Sequence, residues 1–254
     1  MAEVFPYFLS VVLPAYNEEE CIEKAVRDTA AFVSQAFRDY EIVVVNDGSR
    51  DRTAELVQAL STQDPRVRLV SHPVNRGYGA ALTTGFRSAR GELVFFTDAD
   101  NQFDIRELRD TVPLLDRADA VFGYRVYRYD SVVRCMLSWV YNRLVRILFR
   151  VKVRDVDASF KLFTRKVVDS LHLETTDFFI DTEMVARTAR NGFRIVEQGV
   201  RHYPRTAGHT TVRMSDIPRT LKTVFKMWFK IHFGRRPAPN LAREPAREGQ
   251  GLQG

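Results

Sequence analysis

Apolar residues in the first half of the chain fall into short runs, each closed by a polar cluster. The runs "LSVVLP" (9–14), "EIVVVN" (41–46), "VRLVS" (67–71), "LVFFT" (93–97) and "AVFG" (120–123) have the length and content of buried strands. Between them lie segments near 18–36, 51–62, 78–89 and 104–116 that read as helices. In the last of these, Ile105, Leu108, Val112 and Leu115 recur at helical spacing. Strands alternating with helices predict a mainly parallel sheet, joined by right-handed crossovers and covered by helices. Ligands in such sheets bind beyond the carboxyl ends of the strands. The clusters "PAYNE", "NDGS", "NRGYG" and "DADNQ" follow the first four strands in turn, so all four are expected on one rim.

The second half has a different pattern. Residues 131–154 carry six basic side chains and no acidic one. Val133, Met136, Leu137, Val140, Leu144, Ile147, Leu148 and Val151 form an apolar stripe, with Arg143, Arg146 and Arg150 on another face. Residues 217–236 repeat the design. Ile217, Leu221, Val224, Phe225, Trp228 and Ile231 line one side, and Arg219, Lys222, Lys226 and Lys230 the other. Basic amphipathic helices with aromatic residues on the apolar side suit a membrane interface. Core-facing helices with solvated charges have the same pattern. From Pro237 to the end, the chain is rich in Pro, Gly and charge and reads as a disordered tail.

Composition narrows the classes. The 254 residues, 45% hydrophobic, suffice for one large core. A net charge of +6 favours anionic partners without choosing among nucleotides, phospholipid surfaces and nucleic acid. Nucleic acid is set aside because the basic stripes lack the interleaved exposed aromatics of a stacking platform. Cys21 and Cys135 are too few for a disulfide framework, which points to a reducing compartment. No signal peptide and no apolar run long enough to span a bilayer are read. The phosphate-binding G-x-x-x-x-G-K-[ST], zinc-ligand spacing and the G-x-S-x-G elbow are all missing. "GYGAAL" (77–82) lacks the third glycine of a dinucleotide fingerprint.

The candidate chemistry lies on the rim. Asp98 and Asp100 put two carboxylates one residue apart at the end of an apolar run. Their repulsion is relieved by a bound Mg2+ or Mn2+, or by solvation at a loop. Gln102 supplies a neutral oxygen nearby. Asp47 can accept hydrogen bonds from a base or a ribose hydroxyl. It also fits an Asp-Gly turn, with Ser49 or Asp51 capping the next helix. Pro14 ends the first strand, Asn17 caps a helix, and Glu18 to Glu20 suit its N-terminus. Tyr16 either lies against a flat base or packs. Gly77 and Gly79 permit close backbone approach, and Arg76 offers charge to a diphosphate.

"VVLPAYNEEECI", "VVVNDGSRDRT", "NRGYGAAL" and "FFTDADNQF", in this order and spacing, resemble family 2 glycosyltransferases of the inverting GT-A type over about residues 9–210. "VFGYRVYR", "VRDVDASFKLFTRKVV" and the segment ending "YPRTAGHTTVR" are similar to the polyprenol-phosphate branch, the dolichol-phosphate mannose synthase-like enzymes. The resemblance implies an α/β, Rossmann-like, mixed but mainly parallel sheet flanked by helices, with the basic amphipathic helices in the C-terminal half. It implies one domain over 1–236, with a nucleotide-sugar half (1–123), an acceptor half (124–213), an interface helix (214–236) and a tail (237–254). Activity would be transfer of a sugar, mannose or glucose, from a nucleoside-diphosphate donor to a polyprenol phosphate. Transfer would occur at the cytosolic membrane face, with inversion and Mg2+ or Mn2+ as cofactor. By match of motif, Tyr16, Glu18 and Asp47 would hold the nucleoside and Asp98, Asp100 and Gln102 the metal and diphosphate; Pro14 and Arg76 complete the donor candidates. Asp100, Arg125 and Arg205 would be catalytic; Arg125, Arg134 and Arg205 are candidates for the acceptor phosphate and donor diphosphate, of which Arg125 and Arg205 sit in recognisable motifs. Two positions depart from the branch: Tyr78, where a basic residue is common, and Lys161, where Arg is common. The carboxyl-terminal spans of some relatives are not read here, so membrane contact would be peripheral. Asp157 and Glu183 can orient the nucleophile, and Glu183 also suits a plain helix position. The rival readings are a hydroxyl acceptor that needs a carboxylate base, and a membrane adaptor without catalysis.

Overall fold

The computed structural model describes residues 4–127, 132–204 and 217–234. The elements are β1 (Phe5–Ala15), α1 (Ile22–Ala36), β2 (Phe37–Asn46), α2 (Thr53–Gln63), β3 (Val67–Ser71), α3 (Tyr78–Ser88) and β4 (Leu93–Thr97). A 3-10 turn (Ile105–Glu107), α4 (Leu108–Thr111), a second 3-10 turn (Val112–Asp116) and β5 (Ala120–Arg125) follow. The chain continues through α5 (Val132–Phe149), β6 (Phe160–Thr164), α6 (Arg165–Ser170), α7 (Ile180–Arg190), β7 (Ile195–Val200) and α8 (Ile217–Phe233).

Seven strands form one sheet in the order β3-β2-β1-β4-β6-β5-β7. Five of them read as strands from sequence. The pairs β1–β2, β1–β4, β2–β3 and β5–β7 are parallel, and β6 is antiparallel to both its neighbours. Successive side chains on a strand face opposite ways. Phe96 therefore joins Val12, Phe86, Phe122 and Phe163 on one side of the sheet, and Phe95 joins Leu9, Val11, Ile42 and Phe160 on the other.

The reversed strand organises the rim. Thr97, the last residue of β4, is registered with Phe160, the first of β6. The residue before β6 is thereby brought beside the residue after β4, that is, Ser159 beside Asp98. Within β6, Lys161 is fully buried between Phe96 and Phe122, its Nζ 5.2 and 6.0 Å from the ring centroids. It donates to Asp181 Oδ1 and to the Ala158 carbonyl, both at 2.6 Å. Asp181 lies in the first turn of α7, so this buried pair ties the helix to the sheet.

Several expectations are corrected. The helix expected over 104–116 is split into two 3-10 turns around a four-residue α segment. Pro113 lacks the amide that an α-helix needs and clashes with the preceding turn. Strands β6 and β7 were not expected at all. Pro14 does not end β1: it is buried inside the strand, opposite Val45 of β2. Asn17 does not cap α1. It takes a left-handed φ of 55° and accepts the Arg50 amide at 2.8 Å, while α1 starts at Ile22.

The apolar faces of α5 and α8 also differ from the expected stripes. Val145 and Phe149 of α5 and Val224, Met227 and Ile231 of α8 are buried in the core. Met136, Trp139, Val140 and Ile147 are exposed instead. On α8, Phe225, Phe229 and Phe233 are 52%, 63% and 67% exposed, and they alternate with exposed Lys222, Lys226 and Lys230. The ground for setting nucleic acid aside fails with this, since basic and exposed aromatic residues do interleave on α8. Among the described residues, no helix is long and apolar enough to cross a membrane. The expected tail over 237–254 lies outside the described residues.

Removing one partner of a buried ion pair leaves the other charged and desolvated. Asp181→Ala is expected to lower unfolding free energy by about 3–5 kcal/mol, and joint replacement of Lys161 and Asp181 by Met and Leu by less. Urea denaturation of the purified variants checks this. A single variant as stable as the wild type would refute the pair's role.

Candidate active site

Four rim loops meet at the carboxyl ends of β1 to β4, and the loops after β1 and β2 are laced together. Asn17 donates its amide to Ser49 Oγ (3.0 Å), Glu18 to Thr53 Oγ1 (2.9 Å) and Glu19 to Asp51 Oδ2 (3.0 Å). Arg52 returns an amide to Glu19 Oε2 at 3.0 Å. Asp51 accepts the Thr53 amide at 3.0 Å and its hydroxyl at 2.6 Å, the local bonding expected at a helix start. Tyr16 stands exposed above this lacing, as a ring that receives a flat ligand must.

Asp47 is turned inward. It is buried and accepts amides from Arg76 (2.9 Å) and Gly77 (2.8 Å), and it bonds His72 Nδ1 at 2.6 Å. The far side of the imidazole bonds Thr84 Oγ1 at 2.9 Å. Asp47 is thus built into the fold as a clamp on the loop after β3, in place of the Asp-Gly turn expected there. Arg76 keeps its side chain exposed on that loop. Gly77 and Gly79 do allow a close approach, but of the chain itself. A Cβ at Gly77 would lie 2.3 Å from the Thr176 carbonyl oxygen, and one at Gly79 2.4 Å from that of Thr175.

The turn after β4 holds the two acids. Asp100 is buried and accepts the Gln102 amide at 3.0 Å. Asp98 takes the Ser159 hydroxyl on Oδ2 (2.6 Å) and the Tyr78 hydroxyl on Oδ1 (2.9 Å). Burial, and next the charge of Asp100, push the Asp98 carboxyl up to about 7. Gln102 donates its side-chain amide to the Tyr203 carbonyl at 3.0 Å, and its own carbonyl accepts the Tyr203 amide at 2.8 Å. This holds the segment after β7 against the acidic turn. Arg205 itself lies outside the described residues, and so does the side chain of Arg134 on α5. A cleft of about 480 Å³ opens on the α1 side of the turn, bordered by Lys24, Asp28, Asp98, Asn101 and Arg106. It does not reach Tyr16, Asp47 or Arg76, so it covers only part of the rim.

Further acids lie beneath. Arg125 is paired through Nε and Nη2 with both oxygens of Asp155, at 2.6 and 2.7 Å. Its guanidinium reaches the rim with a carboxylate already bound. Asp157, half-buried, takes no hydrogen bond from a described residue; burial, then Asp181 and Asp155, push it up to about 7. Glu183 is fully buried. It accepts the amides of Glu174 and Thr175, the Thr175 hydroxyl and Arg187 Nε. That places Glu183 in the scaffold of the loop before α7, with no face left for a reacting group.

The donor set fits a divalent ion that prefers oxygen. Asp98 and Asp100 are hard carboxylates at one turn, and each raises the cost of the other's charge unless a cation lies between them. Among the described residues, no three His, Cys, Asp or Glu side chains form a complete cage. Mg2+ and Mn2+ need none when substrate phosphates and water complete the octahedron.

The family profile described as glycosyl transferase family 2 matches residues 10–171. The chain belongs to that family. It is 34% identical over 235 residues to the glycosyltransferase AglD of Haloferax volcanii, covering 88% of this chain and 37% of that protein. It is 32% identical over 207 residues to the dolichyl-phosphate beta-glucosyltransferase ALG5A of Trichomonas vaginalis, with coverage of 75% and 64%. A third relative is the undecaprenyl-phosphate 4-deoxy-4-formamido-L-arabinose transferase of Pseudomonas aeruginosa, 37% identical over 169 residues, covering 64% of this chain and 49% of that protein. The resemblance to the polyprenol-phosphate branch therefore holds, and the chain spans less than two thirds of each of these relatives. Among solved structures, glucosyl-3-phosphoglycerate synthase from Mycobacterium tuberculosis with Mn2+, UDP and phosphoglyceric acid superposes with TM-score 0.68 at 20% identity, over 94% of this chain and 80% of that one. The mannosyltransferase PcManGT from Pyrobaculum calidifontis with GDP-Man and Mn2+ gives 0.64 at 25% identity, over 92% and 66%. The fold is that of these GT-A enzymes.

The raised carboxyl of Asp157 makes metal-free stability depend on pH. An aspartate in the unfolded chain loses its proton near 3.9, and in the fold near 7. Between these values the folded state holds the extra proton, so raising the pH weakens folding, and the loss is complete above 7. In chelator, the melting temperature is expected to fall from pH 6 to pH 8, and Asp157→Asn to flatten that fall. Equal slopes in the two proteins would contradict the assignment.

Proposed function

We propose that this chain transfers a sugar from a nucleoside diphosphate to a polyprenol phosphate at a membrane surface. The observation that carries the reading is the turn that holds half-buried Asp98 and buried Asp100, oriented and set on the rim of a family 2 fold. Tyr16 and Glu18 face the nucleoside, and Arg76 and Gln102 flank the diphosphate. Asp98 and Asp100 hold the divalent ion. When bound, that ion neutralises charge on the departing diphosphate.

The lipid phosphate oxygen attacks the anomeric carbon. The bond from that carbon to the diphosphate oxygen breaks, and the diphosphate leaves with the electron pair. In-line attack inverts the centre. A phosphate oxygen is already anionic near neutral pH, so no general base has to remove a proton, which agrees with the enclosure of Glu183. Arg125, steadied by Asp155, Arg134 and Arg205 draw the acceptor phosphate in.

Membrane contact rests on the exposed rows of α5 and α8. Phe225, Phe229 and Phe233 share a face with Lys222 and Lys226, and α8 packs beside α5, whose Trp139, Val140 and Ile147 are also exposed. An aromatic row flanked by lysines suits an anionic lipid surface. Basic and aromatic residues also bind single-stranded nucleic acid; family membership favours the lipid.

The test is transfer from a panel of nucleotide-sugars to polyprenol phosphate, with and without Mn2+ or Mg2+. Metal-dependent product is expected, and Asp100→Ala is expected to abolish it in a folded protein. Free sugars serving as better acceptors, or full activity in the Asp100 variant, would overturn the reading. For Arg205→Ala, poorer acceptor use with nearly unchanged donor binding is expected; lost nucleotide affinity would move it to the donor side. Phe225, Phe229 and Phe233 changed together to Ser are expected to cut binding to anionic vesicles at least tenfold. Unchanged partition would reject α8 as the lipid face.

A further inference from the structure

Tyr78 opens α3, and its hydroxyl reaches across to the acidic turn at 2.9 Å from Asp98 Oδ1. On the other side Ser159 donates to Asp98 Oδ2 at 2.6 Å. Each oxygen of one carboxylate thus receives one hydroxyl proton, from two different elements. A carboxylate offers about four lone-pair sites, so one direction on each oxygen remains for another partner.

Both donors are held in place by the structure around them. The register of β4 with β6 fixes Ser159, since Thr97 pairs with Phe160. Tyr78 is fixed from outside by the loop before α7. Its ring stacks on exposed Phe178, with centroids 5.3 Å apart and planes 27° from parallel. Gly79 donates its amide to the Thr176 carbonyl at 2.9 Å, and the glycines on both sides of Tyr78 leave room for that carbonyl backbone. The loop is anchored in turn by Glu183, and Glu174 is bound by Arg187 and by Lys230 of α8. A tyrosine wanted only for packing would not need its hydroxyl carried to a half-buried acid, where desolvation of both groups carries a cost.

We propose that Tyr78 and Ser159 are positioning residues: together they fix the rotation of the Asp98 carboxylate and aim its remaining lone pairs at a divalent cation. The inference rests on the reading of Asp98 as a metal ligand. Groups that orient a ligand in this way change metal affinity by about 10–100-fold when removed. Tyr78→Phe is the cleanest probe, since it keeps the ring, the stack on Phe178 and the volume, and removes only the hydroxyl.

The experiment is titration of Mn2+ into the metal-free full chain, with UDP or GDP present, following free Mn2+ by electron paramagnetic resonance. Tyr78→Phe and Ser159→Ala are each expected to raise the Mn2+ dissociation constant about tenfold, and the double variant further, with melting temperatures near the wild type. Asp98→Asn should abolish the site. If Asp98→Asn abolishes binding while both hydroxyl variants stay within twofold of wild type, the positioning role is refuted and the metal reading stands. If Asp98→Asn leaves Mn2+ binding intact, both fall. A loss of affinity that tracks a loss of melting temperature across the variants marks packing and also overturns the proposal.

Discussion

An excess of negative charge sits at one end of the sheet, and the rest of the structure is arranged around it. Among the described residues, Asp98, Asp100, Asp155, Asp157 and Asp181 are paired there with two buried or nearly buried cations, Arg125 with Asp155 and Lys161 with Asp181. At an effective dielectric near 20, two like charges about 4 Å apart cost about 4 kcal/mol. The fold absorbs part of this by pairing Arg125 with Asp155 and Lys161 with Asp181. It absorbs another part by holding protons on Asp98 and Asp157 near neutrality. What is left is an electrostatic demand for a cation.

The reversed strand makes that concentration possible. A parallel neighbour to β4 would send its preceding loop to the opposite end of the sheet. Because β6 runs the other way, its leading residues, Asp155 to Ser159, arrive at the same rim as the end of β4. The same strand places Lys161 between Phe96 and Phe122, where only an acid from α7 can compensate it. Helix α7 and its preceding loop are drawn in, and that loop closes over Tyr78. Sheet register, buried ion pair and carboxylate orientation are consequences of one topological choice.

Much of this was legible in the sequence. Five strands, the shared rim and the acidic turn followed from apolar runs that end in polar clusters; four of the five runs are largely buried on both faces, and half-exposed β3 is the exception. Strands β6 and β7 were hidden for the opposite reasons. A lysine interrupts the apolar run of β6, and its compensating acid lies twenty positions away; β7 is half-exposed along most of its length. The glycines beside Tyr78 were read correctly as sites of close approach, yet sequence does not say what approaches. Helices α5 and α8 carry apolar residues around most of their circumference, so periodicity could not choose which row meets the core. Family resemblance implied roles for Arg125 and Asp47, but not the partners that already hold them.

The most direct test of the account is to locate the cation. Crystals grown with Mn2+ and a nucleoside diphosphate, measured near the manganese absorption edge, report its position by anomalous scattering. The account predicts one strong peak in contact with carboxylate oxygens of Asp98 and Asp100 and with the diphosphate. A diphosphate bound on the rim with no manganese at that turn, or with both acids directed away from it, would contradict the account.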